Sequence, residues 1–127
     1  MISKNKVPID LNGLVNSLKD HPRYFHMGMI AGHLGVVRGT SLDGRRVTAV
    51  QVHFDTGLIQ NIKCKIENLP GIIKVLIELR EGRLTVGEDI MAVVVGGDTR
   101  QHVFPALAEA VDLIKQEAVK KEEFFEL

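Results

Sequence analysis

The sequence predicts an α+β fold, a mixed or antiparallel sheet packed with three helices. Three observations carry that prediction. Runs such as Ile90-Met91-Ala92-Val93-Val94-Val95 are apolar and rich in β-branched residues, which suits buried pleated strands. Other stretches place apolar residues three and four apart, the spacing of one helix face. The order is helix, strand, strand, helix, strand, strand, helix, rather than strict alternation of strand and helix.

Taken in order, Ile9, Leu11, Leu14, Val15 and Leu18 mark a short helix over residues 8–20, stopped by His21-Pro22. Phe25 to Arg38 reads as a strand. Its four glycines, at positions 28, 32, 35 and 39 or just beyond its end, predict a bend or bulge with close backbone approach. Asp43-Gly44 predicts a tight reversal. Val47 to Phe54 is a strand with Val50, Val52 and Phe54 on one face and Gln51 and His53 on the other. Leu58, Ile59, Ile62, Ile66 and Leu69 give a helix that Pro70-Gly71 stops. Ile72 to Leu79 is a strand, and Glu81-Gly82-Arg83 a turn or bulge. Leu84 to Gly87 leads into the apolar run at residue 90.

That run meets Gly96-Gly97-Asp98-Thr99-Arg100, read as a tight glycine turn into a helix. Asp98 or Thr99 offers a side-chain oxygen to the first helical amides. From there Phe104, Leu107, Ala108, Val111, Ile114 and Ala118 form an apolar stripe, and Pro105 falls near the first turn, where it is tolerated. Two arrangements are open at this helix start. Free amides beside Arg100 would bind a phosphate or carboxylate. Alternatively, Asp98 caps those amides and Arg100 points into solvent. The stretch Lys120-Lys121-Glu122-Glu123-Phe124-Phe125 mixes charge with two rings, for capping the core or for docking.

Composition narrows the function. The 127 residues suffice for one domain with a real core, residues 1–127, of which 1–24 form an N-terminal helical segment. Sixteen basic and sixteen acidic residues cancel, so there is no global field for nucleic acid, and the chain has no Trp and one Tyr to stack bases. The single Cys64 rules out an internal disulfide and fits a reducing, cytoplasmic setting. Met1 to Lys6 leads into no apolar signal core, and no run is long enough to span a bilayer.

The five histidines show no metal-ligand spacing, although His33 and His53 lie on adjacent predicted strands. Ser41 lacks a nucleophile elbow, and the chain has no phosphate loop or dinucleotide fingerprint. Nothing calls for a metal or a cofactor. What remains is a set of cations at element ends: Arg38, Arg80, Arg83, Arg100, Lys115, Lys120 and Lys121. Arginine forks and lysine point charges there suit an anionic substrate, and a lysine can also donate a proton.

Several of these segments together resemble the MoaE family, the large, catalytic subunit of molybdopterin synthase, over roughly residues 25–123. Gly35-Val36-Val37-Arg38-Gly39 looks like that family's glycine-x-valine-arginine strand end. Leu79-Arg80-Glu81-Gly82-Arg83-Leu84 and Val86-Gly87-Glu88 resemble two further segments. Thr99-Arg100 resembles its histidine-arginine helix start, and Lys115 and Lys120-Lys121 resemble its two lysine positions. The resemblance implies an α/β-hammerhead-like fold and a homodimer. It also implies a partner, a ubiquitin-like sulfur carrier whose C-terminal Gly-Gly enters the site as a thiocarboxylate, and a pterin phosphate substrate that receives two sulfurs. Lys115 would be catalytic, with Lys120 or Lys121 as the second lysine. Arg38, Arg100, Arg80 and Thr99 would hold the substrate's anionic groups or the carrier's terminus.

Departures from the pattern are specific. Thr99 and Leu79 stand where the family has histidines, Arg83 replaces a glutamate, and His33 takes a phenylalanine's place. The segment between the lysines is shorter and has no proline, and the family's C-terminal segment is nearly absent. A helix continuing through it would put Lys120 about 140° and Lys121 about 240° round from Lys115, so the lysines share a pocket only if the helix breaks near Val119. These departures also leave open a non-catalytic relative, a dimeric anion- or pterin-binding or protein-interaction module.

Overall fold

A computed structural model describes residues 1–127. It contains seven strands, β1 (Ile2–Ser3), β2 (Met29–Val36), β3 (Val47–Phe54), β4 (Ile72–Arg80), β5 (Gly82–Thr85), β6 (Asp89–Gly97) and β7 (Val119–Phe125). The three helices are α1 (Leu11–Lys19), α2 (Thr56–Glu67) and α3 (Arg100–Leu113). A short 3₁₀ turn spans Tyr24–His26, and a π turn, Ile114–Ala118, joins α3 to β7.

The strands form two sheets. One runs β1-β4-β6-β2, with β6 antiparallel to both neighbours and β1 parallel to β4; the other runs β5-β3-β7, all antiparallel. The predicted α+β class therefore holds, with mixed and antiparallel sheets packed with three helices. The chain crosses between sheets at Glu81, where β4 stops and Gly82, at φ +104°, opens β5. Such a φ suits only glycine without strain. The bulge expected among the glycines of the first strand occurs between Gly35 and Val36.

Helix starts follow local chemistry. Asp10 accepts the Gly13 amide at 2.9 Å to begin α1, and Asp55 accepts the Leu58 amide at 2.9 Å to begin α2. The β3 alternation is as read, with Val50, Val52 and Phe54 buried and Gln51 and His53 exposed. The core joins both sheets to α2 and α3 through residues such as Val52, Ile59, Ile66, Val75, Val95 and Ile114. No helix is long and apolar enough to cross a membrane.

Four expectations change. The buried face of α3 is Val103, Ala106, Ala110 and Val111, continuing to Ile114, while Phe104 and Ala108 are exposed. Small residues win that face because α3 lies close against the end of β6, where Gly97 offers no side chain. Gly96 and Gly97 are not the turn: both belong to β6, and neither has a positive φ. Their role is close packing, since a Cβ on Gly97 would lie 2.6 Å from the Gly71 carbonyl oxygen and 2.7 Å from Val103 Cγ2. His33 and His53 are on different sheets, so their strands are not neighbours. The C-terminal segment is a full strand, β7, paired along β3 from Val47↔Phe125 to Phe54↔Val119. Its rings are part of the fold: Arg45 stacks on Phe125 with its guanidinium 3.6 Å from the ring centre, and Arg83 lies 4.3 Å over Phe124.

Glu67 ties α2 to β4. Its carboxylate accepts the Val75 amide at 3.0 Å and pairs with Lys63 at 3.0 Å and Lys74 at 3.5 Å. Burial pushes this carboxyl up, but the Val75 amide and the two lysines outweigh it, and the group titrates below its ordinary value. A carboxyl depressed in the folded state adds stability above its unfolded pKa and loses it as pH falls through the folded one. Glu67→Gln is therefore expected to cost about 1–2 kcal/mol at neutral pH. That cost should disappear below the pH at which folded Glu67 takes up its proton, as read by denaturant melts at several pH values.

Candidate anion-binding cleft

The π turn decides where the lysines go. Ile114 and Ala118 anchor its two ends in the core, and the Ala118 carbonyl accepts the Asp55 amide at 2.9 Å. Val119 is already extended, at φ −124° and ψ 138°. The helix thus breaks at Val119, and Lys120 and Lys121 ride on a strand whose side chains alternate between faces. Wide turns of this kind often sit at functional sites.

The alternation separates the lysines. Lys115 and Lys121 both line a cavity of about 430 Å³, floored by Val52, Phe54, Met91 and Ile114 and edged by Gly35. They also line an adjoining cavity of about 440 Å³ with Arg38, Thr40 and Glu123. Val36 and Ile90 are common to both, so the two form one cleft. Lys120 does not line the cleft; it borders a shallow depression with Gln51 and His53, whose edge Lys121 also touches. Lys121, and not Lys120, shares the cleft with Lys115.

Arg38 is preset at the rim. Its Nε donates to the Thr40 carbonyl at 2.8 Å, which leaves the terminal amino groups for a ligand. Neither Lys115 nor Lys121 makes an ion pair. Three cations face one carboxylate, Glu123, so the cleft favours an anion, with an apolar floor for a flat ring system.

The other expected site residues lie elsewhere. Arg80 is committed to structure: Nε donates to the Val7 carbonyl at 2.9 Å, and Nη1 to Glu78 at 3.1 Å and the Leu79 carbonyl at 3.2 Å. It fastens the N-terminal segment to β4 and is not part of the cleft. Thr99 and Arg100 begin α3 beside the end of β6, whereas the cleft lies beside the start of β6, at Ile90 and Met91. From Arg100 to Lys115 the helical path is roughly 20 Å.

At that helix start the capped arrangement does not occur, and the Arg100 and Gln101 amides have no hydrogen-bond partner. The Thr99 side chain makes no capping bond. Asp98 Oδ1 accepts the Thr99 amide at 2.6 Å and pairs with His102 Nδ1 at 2.8 Å, and the His102 bond chiefly holds this carboxyl below its ordinary value. Asp98 therefore spends its carboxylate on His102 and Thr99 rather than on the first-turn amides. Sequence reasoning missed Thr40 and Glu123 as cleft residues; Glu123 reaches the cleft only because β7 returns along β3.

No three His, Cys, Asp or Glu side chains are grouped closely enough to hold a metal ion. Cys64 is a free, exposed cysteine on α2.

Comparison with known proteins agrees with this architecture. No individually curated protein matches the chain. The fold is similar to molybdopterin synthase from Staphylococcus aureus, with TM-score 0.78, 19% identity and coverage of 98% of this chain and 90% of the other. It is similar to the molybdopterin biosynthesis MoaE protein of Burkholderia ambifaria, with TM-score 0.76, 26% identity and coverage of 98% and 85%. A complex of subunits 1 and 2 of molybdopterin-converting factor from Helicobacter pylori contains a chain of the same fold, with TM-score 0.69, 15% identity and coverage of 93% and 80%. The MoaE protein family profile matches residues 5–117, which takes in α1 and ends before Lys120 and Lys121. With that match across most of its length, the chain belongs to the MoaE family.

Proposed function

We propose that this protein acts in molybdenum cofactor biosynthesis as the large subunit of a molybdopterin synthase. It would move sulfur from a thiocarboxylated, ubiquitin-like carrier to cyclic pyranopterin monophosphate. The observation that carries the reading is the convergence of Lys115, Lys121 and Arg38 on one cleft, produced by a helix break that no proline marks in the sequence. Membership of the family and the two-subunit assembly named for the H. pylori protein support it.

The cleft's chemistry suits the task. The Arg38 fork and the Lys121 point charge would hold the substrate phosphate, and the apolar floor would take the pterin edge. Each transfer breaks the carrier's C–S bond and forms a C–S bond on the substrate, while water supplies the oxygen of the carrier's new carboxylate. Lys115, facing both parts of the cleft, would donate a proton to the departing oxygen of the substrate. Arg100 and Thr99 could join such a cleft only from a second copy, so the active species would be a cytoplasmic homodimer with carriers docked on it.

Paired lysine variants test the assignment. Lys121→Ala is expected to reduce dithiolene formation roughly 100-fold, as loss of a preorganised charge typically does. Lys120→Ala should stay within about threefold, because an exposed charge outside the cleft contributes little. Equal losses would remove the distinction between the two lysines. Pterin binding by calorimetry without any turnover in the unaltered protein would replace the synthase reading with a non-catalytic binding dimer.

A further inference from the structure

His33 is a polar residue in an apolar place. On β2 it stands opposite Val93 of β6, and it shares a strand face with Ala31 and Gly35. Its Nε2 is buried without a hydrogen-bond partner, an arrangement that is costly unless something completes it. The direction of that nitrogen is informative. A Cβ on Gly35 would come within 3.3 Å of His33 Nε2, and Gly35 edges the cavity that Lys115 lines. The bare nitrogen therefore lies over Gly35, at the edge of the cleft.

The electrical setting is equally specific. Burial, and then the Lys115 ammonium, push the imidazole below its ordinary value. His33 is therefore neutral at neutral pH, with one ring nitrogen able to accept a hydrogen bond. Lys115 carries three donors and makes no ion pair. The neighbouring β6 side chains, Met91 and Val93, are apolar and offer no competing acceptor.

We propose that His33 is a positioning residue for Lys115: its Nε2 accepts a hydrogen bond from the Lys115 ammonium and aims that group across the cleft when an anion is bound. This rests on the synthase reading for its catalytic consequence but not for its geometry. The neutral ring holds the ammonium by a directed bond without cancelling its charge, which a carboxylate in the same place would do.

Imidazole ¹⁵N NMR on the full-length protein at pH 7.5, with inorganic phosphate as the anion, tests the geometry. His33 is expected as the neutral form protonated on Nδ1, with Nε2 an acceptor. Lys115→Met should shift the population toward protonation at Nε2, because the donor that selects the tautomer is gone. In sulfur-transfer assays, His33→Phe should lower kcat roughly tenfold with little change in KM, as expected for the loss of one well-aimed hydrogen bond. His33→Gln, whose amide oxygen reaches where Nε2 stands, should recover most of that loss. A wild-type ring protonated at Nε2 and unaffected by Lys115→Met overturns the proposal even if sulfur transfer is robust. The expected tautomer in a protein that transfers no sulfur upholds the His33–Lys115 pairing and removes the synthase reading alone.

Discussion

Lys115→Ala is expected to abolish dithiolene formation with a thiocarboxylated carrier, a loss of at least roughly 1,000-fold in kcat. Lys115, like Lys121, lines both parts of the cleft, so its removal takes away the proposed proton donor and part of the anion field together. Stability should hardly change, because the side chain is exposed, makes no ion pair and follows Ile114, which does the anchoring. Unchanged thermal melting with lost turnover would separate chemistry from folding. Retained phosphate binding would further show that Arg38 and Lys121 hold the anion without Lys115. Full activity in this variant would remove the lysine from the mechanism, and with it the central role given to the π turn.

Much of the fold was legible because local rules and tertiary structure agree. The Pro70-Gly71 stop after α2, the β3 alternation and the proline after α1 need no long-range information. The resemblance singled out Arg38 and Lys115, and both line the cleft. What it could not convey was the path of the chain after Lys115. Gln116-Glu117-Ala118 contains no helix breaker, and the break arises because Ala118 and Val119 meet the end of β3. A long-range strand pairing overrides local helix propensity there, and only that pairing distinguishes Lys121 from Lys120. The same limit explains Arg80. An arginine at a strand end reads as a free cation, yet its fork is filled by Val7 and Glu78, one of them far away in sequence.

Gly97→Ala is expected to be strongly destabilising although it adds a single methyl. Gly97 ends β6, the central strand, and pairs with Met29 on one side and Ile72 on the other. Its carbonyl accepts the Gly28 amide at 2.8 Å, and the next residue's amide bonds the Gly71 carbonyl at 2.9 Å. The added Cβ would meet that same Gly71 oxygen at 2.6 Å and Val103 Cγ2 at 2.7 Å. Neither can yield cheaply: one is backbone held in a hydrogen bond, the other belongs to a fully buried side chain at the start of α3. Because Gly97 has no positive φ, backbone strain adds nothing, and the whole cost is overpacking. A loss of about 3 kcal/mol, or roughly 10 °C in Tm, is expected. Gly96→Ala is the control. Its Cβ would meet chiefly the Met27 thioether at 2.9 Å, the flexible end of a half-buried side chain, so about 1 kcal/mol should suffice. The ordering of the two variants in thermal melts tests why β6 ends in two glycines. Equal melting would mean that α3 can lift away from the sheet without loss. The helix would then be a poor platform for holding Lys115 against β6 some 20 Å further along.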